Sequence, residues 1–180
     1  MEPTLKEYLG ELEKRYQGHY NVETYKAIVG KQVDIYAISI IEHFRHVLSK
    51  KIQIDHYQER EIILVKGFDQ FIQAEEIKEF SQYLVTISKE LITPSFEVMS
   101  HTINGIMVSS QGFSKEATEA ARKFKYGRTF CLGIKGWCDI RLLLIDIKNS
   151  SVFCNAKGKE IAEVYTFREK RGDKKQPIKK

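Results

Sequence analysis

Only three cysteines, three prolines and one tryptophan stand among the 180 residues. Cys131, Cys138 and Cys154 are odd in number and lack metal-ligand spacing. That excludes a disulfide framework and a zinc ribbon, and the expectation is three reduced, mostly core thiols of a cytoplasmic protein. The prolines fall at 3, 94 and 177, so they interrupt no long patterned stretch. No apolar run approaches the ~20 residues of a membrane span. The opening MEPTLKEYLGELEKRY reads as an acidic-basic helix, not a signal peptide. No phosphate-cradling glycine loop occurs either, since GIKGW lacks Walker or dinucleotide spacing. A Ser-His-Asp or Cys-His arrangement, an internal repeat and a low-complexity segment are also missing.

Charge of one sign is scarce as well, outside one place. The formal net charge is +5, but residues 168–180 (REKRGDKKQPIKK) hold seven Lys/Arg against two Asp/Glu. The other 167 residues carry 22 of each sign. Global charge therefore argues for no polyanion partner, although a local patch could still hold one. The tail reads as a solvated end or linker, so residues 1–167 are expected to form a single domain.

What is present is patterning. Leu5, Tyr8, Leu12 and Tyr16 recur at helical spacing over residues 4–16, with Thr4 near the cap. A first strand is expected around Asn21–Ala27. QVDIYAISIIEHF, KKIQIDHY and REIILVKGF continue it as an antiparallel meander, with a polar connection near Ser49–Lys51. Between Glu75 and Leu91, the positions Ile77, Phe80, Leu84, Ile87 and Leu91 define one buried helical face, closed by Pro94. NGIMVSS reads as a short buried strand, GFSKEATEAARKF as a helix capped by Ser114, and GRTFCLGI as another strand. DIRLLLIDIKNSSVFCNAKGKEIAEVYTF adds two or three more, joined by KNSS and NAKGK. The fold class is α/β, a mixed sheet flanked by helices.

Within EIILVKGF, alternation puts Ile62, Leu64 and Lys66 on one strand face and Glu61, Ile63 and Val65 on the other. Asp34 lies inside another apolar strand, where an unpaired acid is costly. If the strands are neighbours, Asp34 and Lys66 meet, either as a structural salt bridge or as half of a hydrolytic metal site.

The pieces also resemble, in order, the Mrr-type branch of the restriction-endonuclease-like superfamily, the PD-(D/E)xK nucleases. GHYNVETYKAIVGKQVDIYAI resembles the segment with the family's metal-binding aspartate, which falls on Asp34. EIILVKGF resembles the strand of the acid-x-Lys motif, with its lysine on Lys66, and FIQAEEIKEF the helix start after it. NGIMVSSQGFSKEATEAARKF resembles the following strand and helix, with Gly112, Phe113, Ser114, Ala117 and Ala121 fitting the pattern. The resemblance covers about residues 4–135. It implies a restriction-endonuclease-like fold and phosphodiester hydrolysis with Mg²⁺ or Mn²⁺, held by Asp34 and the Val65 carbonyl. Lys66 would orient the attacking water and stabilise the developing charge.

One position departs from the pattern. Leu64 stands where the second acid belongs and cannot bind a metal. Glu61 points to the opposite face, and Glu11, Glu23 or Glu76 would have to migrate in as a replacement. Lys115, Arg122, Lys123 and Lys125 offer a phosphate-contacting helix edge or a solvated face. Phe68, Phe71, Tyr126 and Trp137 could stack on bases or fill the core. His43 and His46, three apart on a strand, point to opposite faces and read as surface residues rather than a shared metal site. The expected partner is DNA, with no membrane, and either a homodimer or fusion to a larger effector. The competing expectations are an endonuclease of restriction or phage-defence kind, a catalytically inactive nuclease-fold module binding nucleic acid or a protein, and a small-molecule enzyme on an unrelated α/β fold.

Overall fold

The structure is a computed structural model and describes residues 3–45 and 55–167. The connection near Ser49–Lys51, His46 and the basic tail from 168 onward lie outside the described residues.

A capping box opens the first helix, α1 (Leu5–Gln17). The Thr4 hydroxyl accepts from the Glu7 amide at 3.2 Å, while Glu7 Oε2 accepts from the Thr4 amide at 2.8 Å. Tyr8, Leu12 and Tyr16 are its buried positions, as their spacing predicts. Three antiparallel strands follow: β1 (Asn21–Ile28), β2 (Lys31–Arg45) and β3 (Asp55–Phe68). The second helix, α2 (Ala74–Glu90), carries the chain over to β4 (Val98–Ser109), which lies parallel to β3. The third helix, α3 (Lys115–Lys123), leads to β5 (Gly127–Thr129) and then β6 (Trp137–Asp146), parallel to β4. A short β7 (Ser151–Cys154) pairs with β6. The seven strands form one mixed sheet in the order β1-β2-β3-β4-β6-β5, with β7 beside β6. The chain is therefore α/β, a mixed sheet flanked by helices, as its patterning predicts.

Two apolar layers cover the sheet. On one face, Ile62, Leu64, Ile103 and Met107 meet Ile77, Leu84 and Ile87 of α2 and Ala117 and Ala121 of α3. On the other, Ile35, Ile63, Val65, Ile106 and Leu143 meet Tyr8, Leu12 and Tyr16 of α1. Strands covered on both faces become continuous apolar runs, which is why IILV and LLLI read as they do. Leu91, expected on the buried face of α2, is instead its exposed C-cap.

Three stretches differ from their expected shapes, and a fourth holds two of the two or three strands expected. KKIQIDHY and REIILVKGF do not make separate strands: their described part is the single strand β3. The strand in NGIMVSS begins earlier, at Val98, because polar Ser100, His101 and Thr102 still pair with β3 and β6. GRTFCLGI is strand only to Thr129, since Cys131 and Leu132 take positive φ and turn the chain. After β7 the chain continues as 3-10 turns at Lys157–Glu160 and Ala162–Tyr165, not as a further strand. Buried Asn155 directs that change: its Oδ1 accepts from the Leu142 and Gly158 amides at 3.1 and 2.8 Å.

Candidate functional site

β2 and β3 are neighbours with Ile35 opposite Val65, which brings the next residues along each strand, Asp34 and Lys66, side by side. The Lys66 ammonium stands 3.4 Å from Asp34 Oδ2. The same oxygen accepts from the Gly67 amide at 2.7 Å. Gly67 suits that place because a Cβ there would lie 2.9 Å from Leu9 Cδ1 and 3.1 Å from Leu5 Cδ1 of α1. The backbone thus approaches α1 closely and still presents its N–H to Asp34.

Asp34 opens onto a cleft of about 380 Å³ between α1, β1 and the loop after β3. Glu13 and Asp69 line the same cleft, with Lys6. Asp69 is tied down by the Ser110 hydroxyl, which donates to its Oδ1 at 2.7 Å, and Glu13 accepts from Gln17 Nε2 at 3.1 Å. Neither acid was among the expected replacements for position 64. Helical spacing contains the signal for Glu13, because Lys6, Gly10 and Glu13 share a stripe of α1 beside the cleft. Asp69 lies three residues past Lys66, just beyond the strand end.

The expected replacements stand elsewhere. Glu11 is on the exposed side of α1. Glu23 pairs with Lys26 at 2.6 Å, and Glu76 accepts from the Gln73 amide at 3.1 Å, where it caps α2. Leu64 is fully buried in the layer under α2. Val65 is embedded in the sheet, opposite Ile35 on one side and Ile106 on the other. Among the described residues, no group of three or more His, Cys, Asp or Glu gathers as a metal cage.

The basic edge of α3 lies on the other face of the sheet from α1. Lys115 and Lys125 are exposed there, Arg122 lies over the Phe153 ring, and Lys123 borders a groove between α2 and α3. None of these side chains lines the Asp34 cleft. His43 stacks on Tyr57 and stands 3.6 Å from Glu59. His101, by contrast, is buried against Phe130. Of the candidate stacking aromatics, Phe71 is exposed, while the Tyr126 hydroxyl is held by Ser88. All three cysteines are free, with Cys138 buried and Cys131 exposed.

Residues 4–167 match the model of a family described as a domain of unknown function, DUF8052. The chain belongs to that family. No curated protein and no solved structure matches it.

A second polar centre of this DUF8052 chain was not anticipated from its sequence. On the α1 face, Glu61 accepts from Tyr20 Oη and Asn104 Nδ2, both at 2.6 Å, and pairs with Arg141 at 3.3 Å. Arg141 also binds Glu160 at 2.6 Å. Alternation along β3 does point Glu61 away from Leu64, as expected, and this network is what receives it. Burial, reinforced by the Glu61 carboxylate beside it, holds the Tyr20 phenol well above its usual pKa. The network joins β3, β4 and β6 to the turn after β7, and it satisfies a carboxylate that would be costly alone.

Proposed function

We propose that this chain is a divalent-metal-dependent DNA endonuclease of the restriction-endonuclease-like, Mrr-like kind, acting at the Asp34 cleft. The observation that carries the reading is the Asp34–Lys66 pair, 3.4 Å apart on neighbouring strands, with Asp34 lining a cleft that Glu13 and Asp69 also line. Carboxylates of Asp34, Glu13 and Asp69 facing a phosphodiester would repel it unless a cation lay between them. Mg²⁺ commonly takes one or two carboxylates and completes its shell with water and substrate phosphate oxygens, so a full protein cage is unnecessary.

The donor set fits that pattern. Asp34 Oδ2 is occupied by Gly67 and Lys66, whereas Oδ1 makes no hydrogen bond among the described residues. Asp34 would hold the ion, with Asp69 and Glu13 adding negative charge from the cleft walls. A bound Mg²⁺ or Mn²⁺ would supply charge neutralisation at the phosphoryl oxygens and a lowered pKa for attacking water. Lys66 contributes a fixed positive charge where negative charge accumulates on the scissile phosphate. Gly67 keeps the Asp34 carboxylate in one orientation through its amide.

A second reading has its own observation. Leu64 is sealed in the core and offers the site no oxygen, which favours a nuclease-type module that binds nucleic acid or a protein without cutting. Supercoiled plasmid incubated with the chain and Mg²⁺ or Mn²⁺ separates the two. Nicking by the wild type that is lost in both Asp34→Ala and Lys66→Ala supports the endonuclease. Intact plasmid under both metals, with salt-dependent duplex binding retained, supports the module. Nicking that survives both substitutions refutes the assignment of this site.

A further inference from the structure

The turn between β5 and β6 presents an apolar tip to solvent. Leu132 is 100% exposed, Ile134 66% and Trp137 39%, and Phe96, 72% exposed in the segment before β4, lies under Lys135 of the turn. Aliphatic and aromatic groups grouped in this way mark an interaction surface rather than scattered surface residues. The turn is rigid. The Phe130 amide donates to Gly136 O at 2.9 Å, the Gly133 and Lys135 amides to Phe130 O at 3.0 and 3.2 Å, and the Ile134 amide to Cys131 O at 3.1 Å. Cys131 and Leu132 have φ of 49° and 56°, a costly conformation for side-chain-bearing residues. The chain therefore holds a leucine outward in a hydrogen-bonded turn whose backbone takes an unfavourable conformation.

Two cations lie beside the tip. Residues 120–138 contain five Lys/Arg and no Asp/Glu. Two of the cations are at the tip itself, Lys135 over the Phe96 ring at 4.9 Å and Arg128 over Phe130 at 5.1 Å. The acids bordering this region in sequence are Glu119, on α3, and Asp139, which is bridged by Lys157 at 3.0 Å. We propose that this turn docks on an anionic lipid surface, with Leu132 and Ile134 entering the interfacial region and Arg128 and Lys135 meeting the headgroups. Leu132, fully exposed, has no neighbouring walls against which a peptide's side chains would be buried, whereas a deformable interface closes around it. Basic residues beside apolar ones add attraction to anionic headgroups, and tryptophan favours the same interfacial depth. No described helix is long and apolar enough to cross a membrane, so the contact would be peripheral.

This surface is independent of the proposed nuclease site. Trp137, at the start of β6, is seven residues from Leu144, which lies level with Met107 and Lys66. That separation is about 23 Å along the strand.

Co-sedimentation with mixed phosphatidylcholine–phosphatidylglycerol vesicles tests the proposal, with pure phosphatidylcholine vesicles as reference. The wild type is expected to pellet with the anionic vesicles and to be released as salt rises. Leu132→Asn with Ile134→Ser should weaken partitioning at least about tenfold while leaving the thermal midpoint in place, because both side chains are exposed. Asn is chosen because it tolerates positive φ. Arg128→Gln with Lys135→Gln should erase the preference for anionic vesicles. Absence of pelleting overturns the proposal, as does pelleting unchanged by the apolar variant. If that variant instead loses affinity for a duplex oligonucleotide and not for vesicles, the tip is a nucleic-acid contact and the lipid reading fails.

Discussion

Asp34 Oδ2 stands 3.4 Å from Lys66 Nζ and takes the Gly67 amide at 2.7 Å, so one carboxylate serves a charge partner and a backbone donor together. Substitution separates the two roles. Asp34→Asn keeps an acceptor for Gly67 but removes the negative charge. Its cost in stability should stay below about 1 kcal/mol, while Asp34→Ala strands the Gly67 amide and should cost about 1–3 kcal/mol. Urea denaturation of the two variants reads the difference. Equal costs would show that the Gly67 contact contributes nothing.

Lys66→Met isolates the catalytic proposal from stability. The lysine is about one-third exposed, at 32% of its side chain, so its pairing with Asp34 contributes little to folding. Plasmid nicking should nevertheless fall about a hundredfold, the usual size of losing one fixed charge or donor aimed at a transition state. A variant that folds normally and nicks at the wild-type rate would remove Lys66 from the site.

Position 64 invites the opposite experiment, restoring the acid. Leu64 is fully buried and packed in the layer with Ile77, Leu84 and Met107. Glutamate there would be an unpaired charge in an apolar layer, costing about 3 kcal/mol or more. Leu64→Glu is therefore expected to lower the melting temperature or abolish cooperative unfolding, without raising Mg²⁺-dependent nicking. A stable variant with stronger nicking would mean that side chain 64 reaches the cleft after all.

These contrasts also mark what could be read in the chain and what could not. Strand alternation placed Leu64 and Glu61 on opposite faces, and an acid inside the apolar run VDIY pointed to a partner, which proved to be Lys66. Both inferences rest on local geometry that the residues themselves carry. Glu13 and Asp69 were missed because the cleft they share with Asp34 forms only where α1 and the loop after β3 meet β1 and β2, a tertiary relation. Arg141 carries no mark of its role in the sequence, because it lies between Glu61 and Glu160, residues 80 and 19 positions away. β4 was foreseen only in its apolar half, since Ser100, His101 and Thr102 are strand through pairing rather than through pattern. The Leu132 turn escaped because hydrophobicity predicts burial, and here apolar residues face solvent.

Arg141 offers a comparison of two carboxylates on one guanidinium. Glu61 is mostly covered, with 23% of its side chain exposed, whereas Glu160 is 52% exposed. Glu61→Ala leaves Arg141 and Asn104 without their shared acceptor inside the structure and should cost about 3 kcal/mol. Glu160→Ala removes an exposed pair and should cost less than about 1 kcal/mol, even though its 2.6 Å contact is the shorter one. Chemical denaturation of both variants decides whether burial or distance sets the strength. Equal losses would contradict the view that Glu61 anchors the network.

His101 makes the fold sensitive to acid. It is buried on β4, and its Nε2 has no hydrogen-bond partner among the described residues. Burial, and then the nearby Arg60 charge, lower its pKa from 6.5 to about 4. The unfolded chain therefore binds a proton that the folded chain refuses between those two values, and stability falls as pH drops from about 6.5 toward 4. A displacement of this size corresponds to on the order of 3 kcal/mol across the window. Phe130 lies edge-on to the imidazole, so an apolar replacement is tolerated there better than a charge. His101→Leu should consequently flatten the decline of the urea midpoint between pH 6.5 and 4 while leaving stability near neutral pH within about 1.5 kcal/mol of the wild type. If the variant keeps the wild-type slope, the acid sensitivity belongs to the carboxylates and His101 is not its source.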